Sequence, residues 1–298
     1  MQEIATIYGR RNTFYDLAVN PETEVIAAGG KDGTISLYRG GDWKYLESYN
    51  GHNRRITRLA FNPAGTRLAS AAADRSCILW SHPEGAPLHK LTGHKRRVTD
   101  IAFSPDGSLL ATAGADSRVI LWNAEVGWQL KTAYGDSRSV WEISFSPDGE
   151  YVAATGYGGE LVLLGVPSLD PFRVFPEHGT AGWSPVFSPD GSLLATIGFD
   201  NRLVIRSTVD WSVYADLELA GTGPRPLSFS FDGRLLACAG GRMITVLDVE
   251  LMEPLAEVQL DARECFGLEF FVDERFLLSA CSDRQIHVWD IGDVAVSG

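Results

Sequence analysis

The sequence is poor in the residues that usually announce a chemistry. Its 298 residues include four cysteines, Cys77, Cys238, Cys265 and Cys281, and no two of them stand at CxxC spacing. Neither a disulfide framework nor a zinc site is therefore suggested. No apolar stretch approaches the ~20 residues needed to cross a bilayer. The opening, MQEIATIYGRR, lacks the apolar core of a secretory signal. A soluble, reducing compartment follows as the expectation, cytoplasmic and away from the membrane. Lysine is scarce too: all five fall before residue 150. Residues 1–149 carry 17 basic and 16 acidic side chains, and residues 150–298 carry 9 and 22, within a net charge of −12. An acidic balance of this kind disfavours nucleic acid as a partner.

What is present is repetition. A phenylalanine recurs at Phe61, Phe103, Phe145 and Phe187, then Phe229 and Phe270, in steps of 42 residues with a last step of 41. One step back from Phe61 lies Val19, in FYDLAVNPETEV, a weaker copy of the same phrase. Seven copies fill almost the whole chain. Each parses into short strands. VTDIAF alternates, SPDG turns the chain, SLLATAG is a strand of small residues, and RVILW is β-branched. GWQLKTAYG supplies a fourth strand. Four strands per unit without helical periodicity predict a propeller blade, with nearly continuous apolar strands buried on both faces.

The wording is specific enough to carry a resemblance. Repeat two holds Gly51-His52, Ser70, Asp74 and Trp80; repeat three holds Gly93-His94, Thr112, Asp116 and Trp122. In both, the hydroxyl lies four before Asp and Trp lies six after it. This resembles the WD40-repeat β-propeller, and the SPDG turns resemble its bacterial-type repeats. The resemblance implies an all-β, seven-bladed WD40-like propeller, each blade having four antiparallel strands. It also implies a buried tetrad in which imidazole, hydroxyl, carboxylate and indole satisfy one another. Other repeats depart from the pattern. Repeat seven keeps Ser279, Asp283 and Trp289-Asp290 without a preceding His, repeat five keeps Thr196 and Asp200 with Arg206 for Trp, and repeat one keeps Asp32 with Tyr38 for Trp. Repeats four and six have glycine near Gly158 and Gly241 in place of Asp. Only repeats two and three are complete on this reading.

The propeller is expected to occupy residues 1–298 as one domain. Its blades fall at about 10–50, 51–92, 93–134, 135–178, 179–220, 221–260 and 261–291, with 3–8 as the outer strand of blade seven. The rival occupant of that outer slot is DVAVSG at 293–298. The N-terminal segment keeps the repeat register, so it is expected to close the ring.

The remaining residues suggest little catalysis. His52 and His94 are consumed by tetrads. His82 and His89 lie in a polar turn and an outer strand, where solvated histidines are ordinary. His178 looks displaced from the tetrad register, and His287 looks outward-facing. No histidine pairs with another ligand at metal spacing. Asp106, Asp148 and Asp190 of the SPDG turns sit one per blade, too far apart for one calcium shell. GGKDG and ACAGGR precede strands and do not read as phosphate loops. Cys238 reads as a small core residue in a tetrad hydroxyl slot. No enzyme activity, metal or cofactor is expected.

The register itself points to a surface. In the family, residues just before and within the innermost strand line the top rim of the central channel. The position four before each marker reads Tyr15, Thr57, Thr99, Trp141, Trp183, Arg225 and Phe266. Two residues earlier stand Arg55 and Arg97, next to Arg54 and Arg96, with Arg10 and Arg11 in blade one. The position before the tetrad Asp adds Lys31, Tyr157 and Phe199. Aromatics and Arg are the residue types enriched at binding hot spots. The expected function is a scaffold that binds a protein or peptide on this face. An acidic or phosphorylated segment with an apolar anchor suits it, and a small-molecule or glycan site on the aromatic side is the alternative. Trp43, Trp128 and Trp211 begin outer strands and are expected to cover the turn there.

Overall fold

The computed structural model describes residues 1–9, 12–134, 139–219, 226–271 and 275–292. Their strands form seven antiparallel sheets of four. From innermost to outermost strand, blade one runs from Phe14–Val19 to Tyr45–Asn50 and blade two from Ile56–Phe61 to Pro87–Thr92. Blade three runs from Val98–Phe103 to Gln129–Tyr134, blade four from Val140–Phe145 to Asp170–Phe175, and blade five from Gly182–Phe187 to Val213–Glu218. Blade six runs from Leu227–Phe229 to Pro254–Gln259. Blade seven starts at Cys265–Phe270 and is completed by Gln2–Tyr8.

That last pairing closes the ring. Gln2–Tyr8 runs antiparallel to Gln285–Asp290, with Tyr8 opposite Gln285 and Gln2 opposite Asp290. The N-terminal strand thus takes the outer slot, while the rival segment 293–298 lies outside the described residues. Among the described residues, no helix is long and apolar enough to cross a membrane.

Each middle strand is apolar on both faces because both faces meet a sheet. Leu109–Gly114 is buried along nearly all its length, whereas Asp170–Phe175, at an outer edge, is mostly exposed. The two faces differ in size. Trp80, Leu68 and Ile78 of blade two pack against Ala27, Ile35 and Leu37 of blade one. Ala69, Ala71 and Leu79 on the other face of blade two receive Trp122 and Leu110 of blade three. At both junctions a tryptophan is buried in a cluster that includes alanines of the preceding blade, and each large side chain so buried contributes about 1.5–3 kcal/mol. The turns follow their chemistry: Gly107, Gly149, Gly191 and Gly233 all hold φ between 70° and 75°, where a side chain would be strained. Asp106, Asp148 and Asp190 are each engaged within their own turns, bonded by Ser104, Ser146 and Ser188.

Candidate interaction surface at the channel mouth

The innermost strands share an irregularity. Pairing with the next strand slips between Phe14 and Asp16, Ile56 and Arg58, Val98 and Asp100, Val140 and Glu142, and Cys265 and Gly267. The skipped residues are Tyr15, Thr57, Thr99, Trp141 and Phe266. These are the positions that the repeat register marks for the rim. A bulge frees one residue from the ladder and re-aims its side chain. Here it turns that side chain to the channel mouth. In blade five the slip falls between Trp183 and Val186.

Tyr15, Arg55, Arg97, Trp141, Trp183 and Phe266 line one open-mouthed cavity of about 260 Å³. Its aromatic wall is continuous. The Trp141 ring lies 4.7 Å from Trp183, 5.9 Å from Tyr157 and 6.0 Å from Phe199, and Trp183 lies 5.2 Å from Phe199. Such tilted and edge-on pairs hold the rings in place without sealing them off. Tyr157 is 54% exposed and Phe199 44%. Across the mouth, Tyr15 stacks at 5.1 Å on Phe266, and the Arg55 guanidinium lies 4.8 Å above Tyr15. Among the described residues, Arg55 and Arg97 take part in no ion pair with a carboxylate. Arg225, Arg10 and Arg11 lie outside the described residues.

Below the mouth lies a cluster that the aromatic and arginine pattern did not reveal. Arg58 reaches Asp100 at 2.9 Å, Asp16 at 3.4 Å and Glu142 at 3.6 Å. Asp16 also accepts the Leu59 amide at 2.7 Å, and Asp100 accepts the Ile143 amide at 2.7 Å, so each carboxylate ties neighbouring blades together. Burial pushes Asp16 up to about 8 and Glu269 to about 7. It pushes Asp100 to about 6. Arg58 is held firmly charged, because Asp100, Glu142 and Asp16 outweigh its own burial. The position three before each marker reads Asp16, Arg58, Asp100 and Glu142 in blade order, and that row was the available signal.

The tetrads form as the resemblance implies. In blade two, His52 Nδ1 meets Asp74 at 3.0 Å and Nε2 meets Ser70 Oγ at 2.8 Å, while the Trp80 indole N–H donates to Ser70 Oγ at 2.8 Å. Blade three repeats this with His94, Asp116, Thr112 and Trp122 at 2.9 Å throughout. Burial lowers the affinity of His52 and His94 for a proton.

Three histidines correct the sequence reading. His178 is in register: it meets Asp200 at 3.1 Å and Thr196 at 3.1 Å. The residue before it is Glu177 rather than Gly, which hid the motif. Buried Glu177 accepts both contacts of the Arg206 Nε at 2.9 Å, so Glu and Arg together replace Gly and Trp in blade five. His82 is buried, 3.1 Å from the Tyr49 hydroxyl of the preceding blade, rather than solvated. His287 is also buried, between Glu3 at 2.8 Å and Asp283 at 2.9 Å. Its burial, which alone would lower its pKa, is outweighed by Glu3 and its other partners, and the pKa is raised. Repeats two and three are thus joined by blade five in possessing a set of His, Ser or Thr, and Asp. Trp43 packs on Phe271 and Phe276, and Trp211 on Tyr151, Phe172 and Phe175, each covering a turn. Trp128 does not: it is 70% exposed, because Gly127 holds the equivalent left-handed position at φ 71°.

A closed ring of seven four-stranded blades, carrying these polar sets at fixed intervals, is a repeat-built β-propeller. The family model described as WD domain, G-beta repeat matches the chain five times, at residues 1–39, 43–81, 85–123, 127–163 and 261–290, more than half of its length. The chain belongs to the WD40-repeat family, whose propellers are generally protein-interaction scaffolds. The unmatched stretch contains blades five and six, where Arg206 and Leu247 stand at the tryptophan position. No curated protein matches the chain.

Proposed function

We propose that this propeller is a non-catalytic scaffold that binds a peptide segment of another protein at the channel mouth. The segment carries an apolar anchor for the wall of Trp141, Trp183, Tyr157 and Phe199. An acidic or phosphorylated residue beside the anchor faces Arg55 and Arg97. The observation that carries this reading is the convergence in one open cavity of bulge-borne rings with two arginines that pair with no carboxylate among the described residues. Guanidinium groups of this kind suit carboxylate or phosphate oxygens. A glycan or other small molecule on the same rings is the second reading. The cavity, at about 260 Å³, is smaller than the ~300–1,000 Å³ typical of small-ligand sites. Peptide recognition, which needs only an anchor pocket and a rim, fits it better.

A peptide array of acidic, phosphorylated and neutral sequences with an aromatic or aliphatic anchor tests the proposal. Trp141→Ala/Trp183→Ala should weaken binding at least tenfold for every anchored peptide. Arg55→Ala/Arg97→Ala should remove the preference for acidic and phosphorylated members. Unchanged binding in both variants, with folding intact by circular dichroism, overturns the proposal.

A further inference from the structure

The junction between blades three and four holds a second, larger cavity, of about 430 Å³. Its floor includes Val119, Val140, Ala154, Leu164 and Leu169, all buried or nearly so, and Lys131, Glu160 and Asp170 stand exposed around its mouth. The chain itself shows what such a wedge is shaped to hold. Trp80 pairs across its sheet with Leu68, and Trp122 with Leu110; at the same register in blade four, Leu164 pairs with Val152. The hydroxyl that receives the indole N–H is Ser70 in blade two and Thr112 in blade three. In blade four that position is Ala154, opposite Val162 as Thr112 is opposite Ile120. The ring and its acceptor have both been cut back.

Blade six provides an internal control. It too lacks the pair, having Cys238 and Leu247. There the outer strand of blade five contributes Leu217, which packs into the junction beside Leu203 and Leu247. The matching residue on blade three is Ala133, opposite Val119 as Leu217 is opposite Leu203. The loss at blade six is filled from the neighbour, whereas among the described side chains none fills the loss at blade four. An apolar floor of this kind accepts small apolar molecules, while Thr132, Thr155 and Ser168 add polar groups to the lining. A volume of this size with a few polar groups at the rim lies within the usual range of small-ligand sites.

We infer that the wedge between blades three and four is a binding site for a small, flat aromatic molecule of about indole size, lying where the tryptophan of an intact blade lies, with any polar substituent directed to Lys131, Glu160 and Asp170 at the mouth. The site is separate from the channel mouth and does not depend on the peptide reading.

The probe is 5-fluoroindole, followed by its fluorine NMR linewidth in the presence of the whole chain. Wild type should broaden the line in the millimolar range or below. Ala154→Thr/Leu164→Trp restores the intact set, and Ala133→Leu fills the wedge from the other side as Leu217 does at blade six. Each should weaken binding at least tenfold, so that failure of one variant to fold leaves the other as a test. Trp141→Ala/Trp183→Ala should leave the broadening unchanged. Absence of broadening in wild type overturns the inference. So does broadening that survives both filling variants, or that disappears with the channel-mouth tryptophans. If the wild type ignores the probe while the filling variants lose a protein partner, the wedge receives a side chain of that partner and the small-molecule assignment falls.

Discussion

Replacing Arg58 by Met removes the one cation that, among the described residues, pairs with a group of buried carboxyls, while keeping most of the stem's apolar volume. In the folded protein the guanidinium reaches Asp100 at 2.9 Å and Asp16 at 3.4 Å, and both partners are at most 3% exposed. Breaking a buried pair by removing one partner costs about 3–5 kcal/mol, a large share of the ~5–15 kcal/mol that holds a typical fold together. The cost depends on pH in a defined direction. Asp16, Glu269 and Asp100 titrate at about 8, 7 and 6 in the fold, against ordinary values of 3.8, 4.5 and 3.8. Between each pair of values the folded chain holds more protons than the unfolded chain, so the contribution to stability is complete at the ordinary value and is lost as pH rises through the folded one. Loss of Arg58 moves the folded values higher still. At about pH 8.5 the variant bears the full ~3–5 kcal/mol, because its carboxyls must either ionise without a counter-charge or take up protons where protons are scarce. At about pH 5.5 they bind protons, and only the missing hydrogen bonds remain, about 1–2 kcal/mol. Urea unfolding of both proteins, followed by tryptophan fluorescence at the two pH values, measures the difference, and histidine effects common to both cancel. An equal penalty at the two pH values would refute the account.

Two smaller predictions follow from the same polar inventory. Thr155 Oγ1 is buried without a hydrogen-bond partner among the described residues, so Thr155→Val should leave stability unchanged or raise it by about 1 kcal/mol; a clear fall in melting temperature would show that the hydroxyl is satisfied. His178→Ala leaves Asp200 and Thr196 without their imidazole and should cost about 1–3 kcal/mol near pH 8, read from urea midpoints. Burial holds the folded His178 below its ordinary value of 6.5, so the wild type itself loses stability as pH drops through that value. The penalty of the variant should therefore shrink at about pH 5.5, and a penalty that grew there would contradict the assignment.

The architecture was legible because a period survives the loss of individual motif residues. Phe61, Phe103 and Phe145 mark the ends of innermost strands whether or not their blade keeps a tetrad. Rim positions were legible for the same reason: Tyr15, Trp141 and Phe266 occupy one register, and the bulge that turns them to the channel recurs with it. What escaped was pairing between distant residues. One of the two partners of His287 is Glu3, far away in the sequence, and no local pattern reports it. His82 is buried by Tyr49 from the previous blade, although its own surroundings, SHPEG, read as a solvated turn. Glu177 and Arg206 are each departures from the motif that make sense only together. The carboxylates around Arg58 were visible as letters, but their convergence depends on four innermost strands meeting around one axis.

The closing strand also bears on how the chain reaches its native state. Gln2–Tyr8 leaves the ribosome long before its partner Gln285–Asp290 is made. Blades one to six can assemble from contiguous segments as they are synthesised, whereas blade seven must wait until Gln285–Asp290 has been made. Its loop closure is the longest among the described strand pairings, although the entropic cost of closure grows only with the logarithm of length. Pairing of such high sequence separation is slow, and until it occurs one sheet edge stands open to other chains. Blade seven thus acts as a late kinetic latch, and crowding or a prolonged pause before residue 285 would act on association between molecules before it acted on the finished ring.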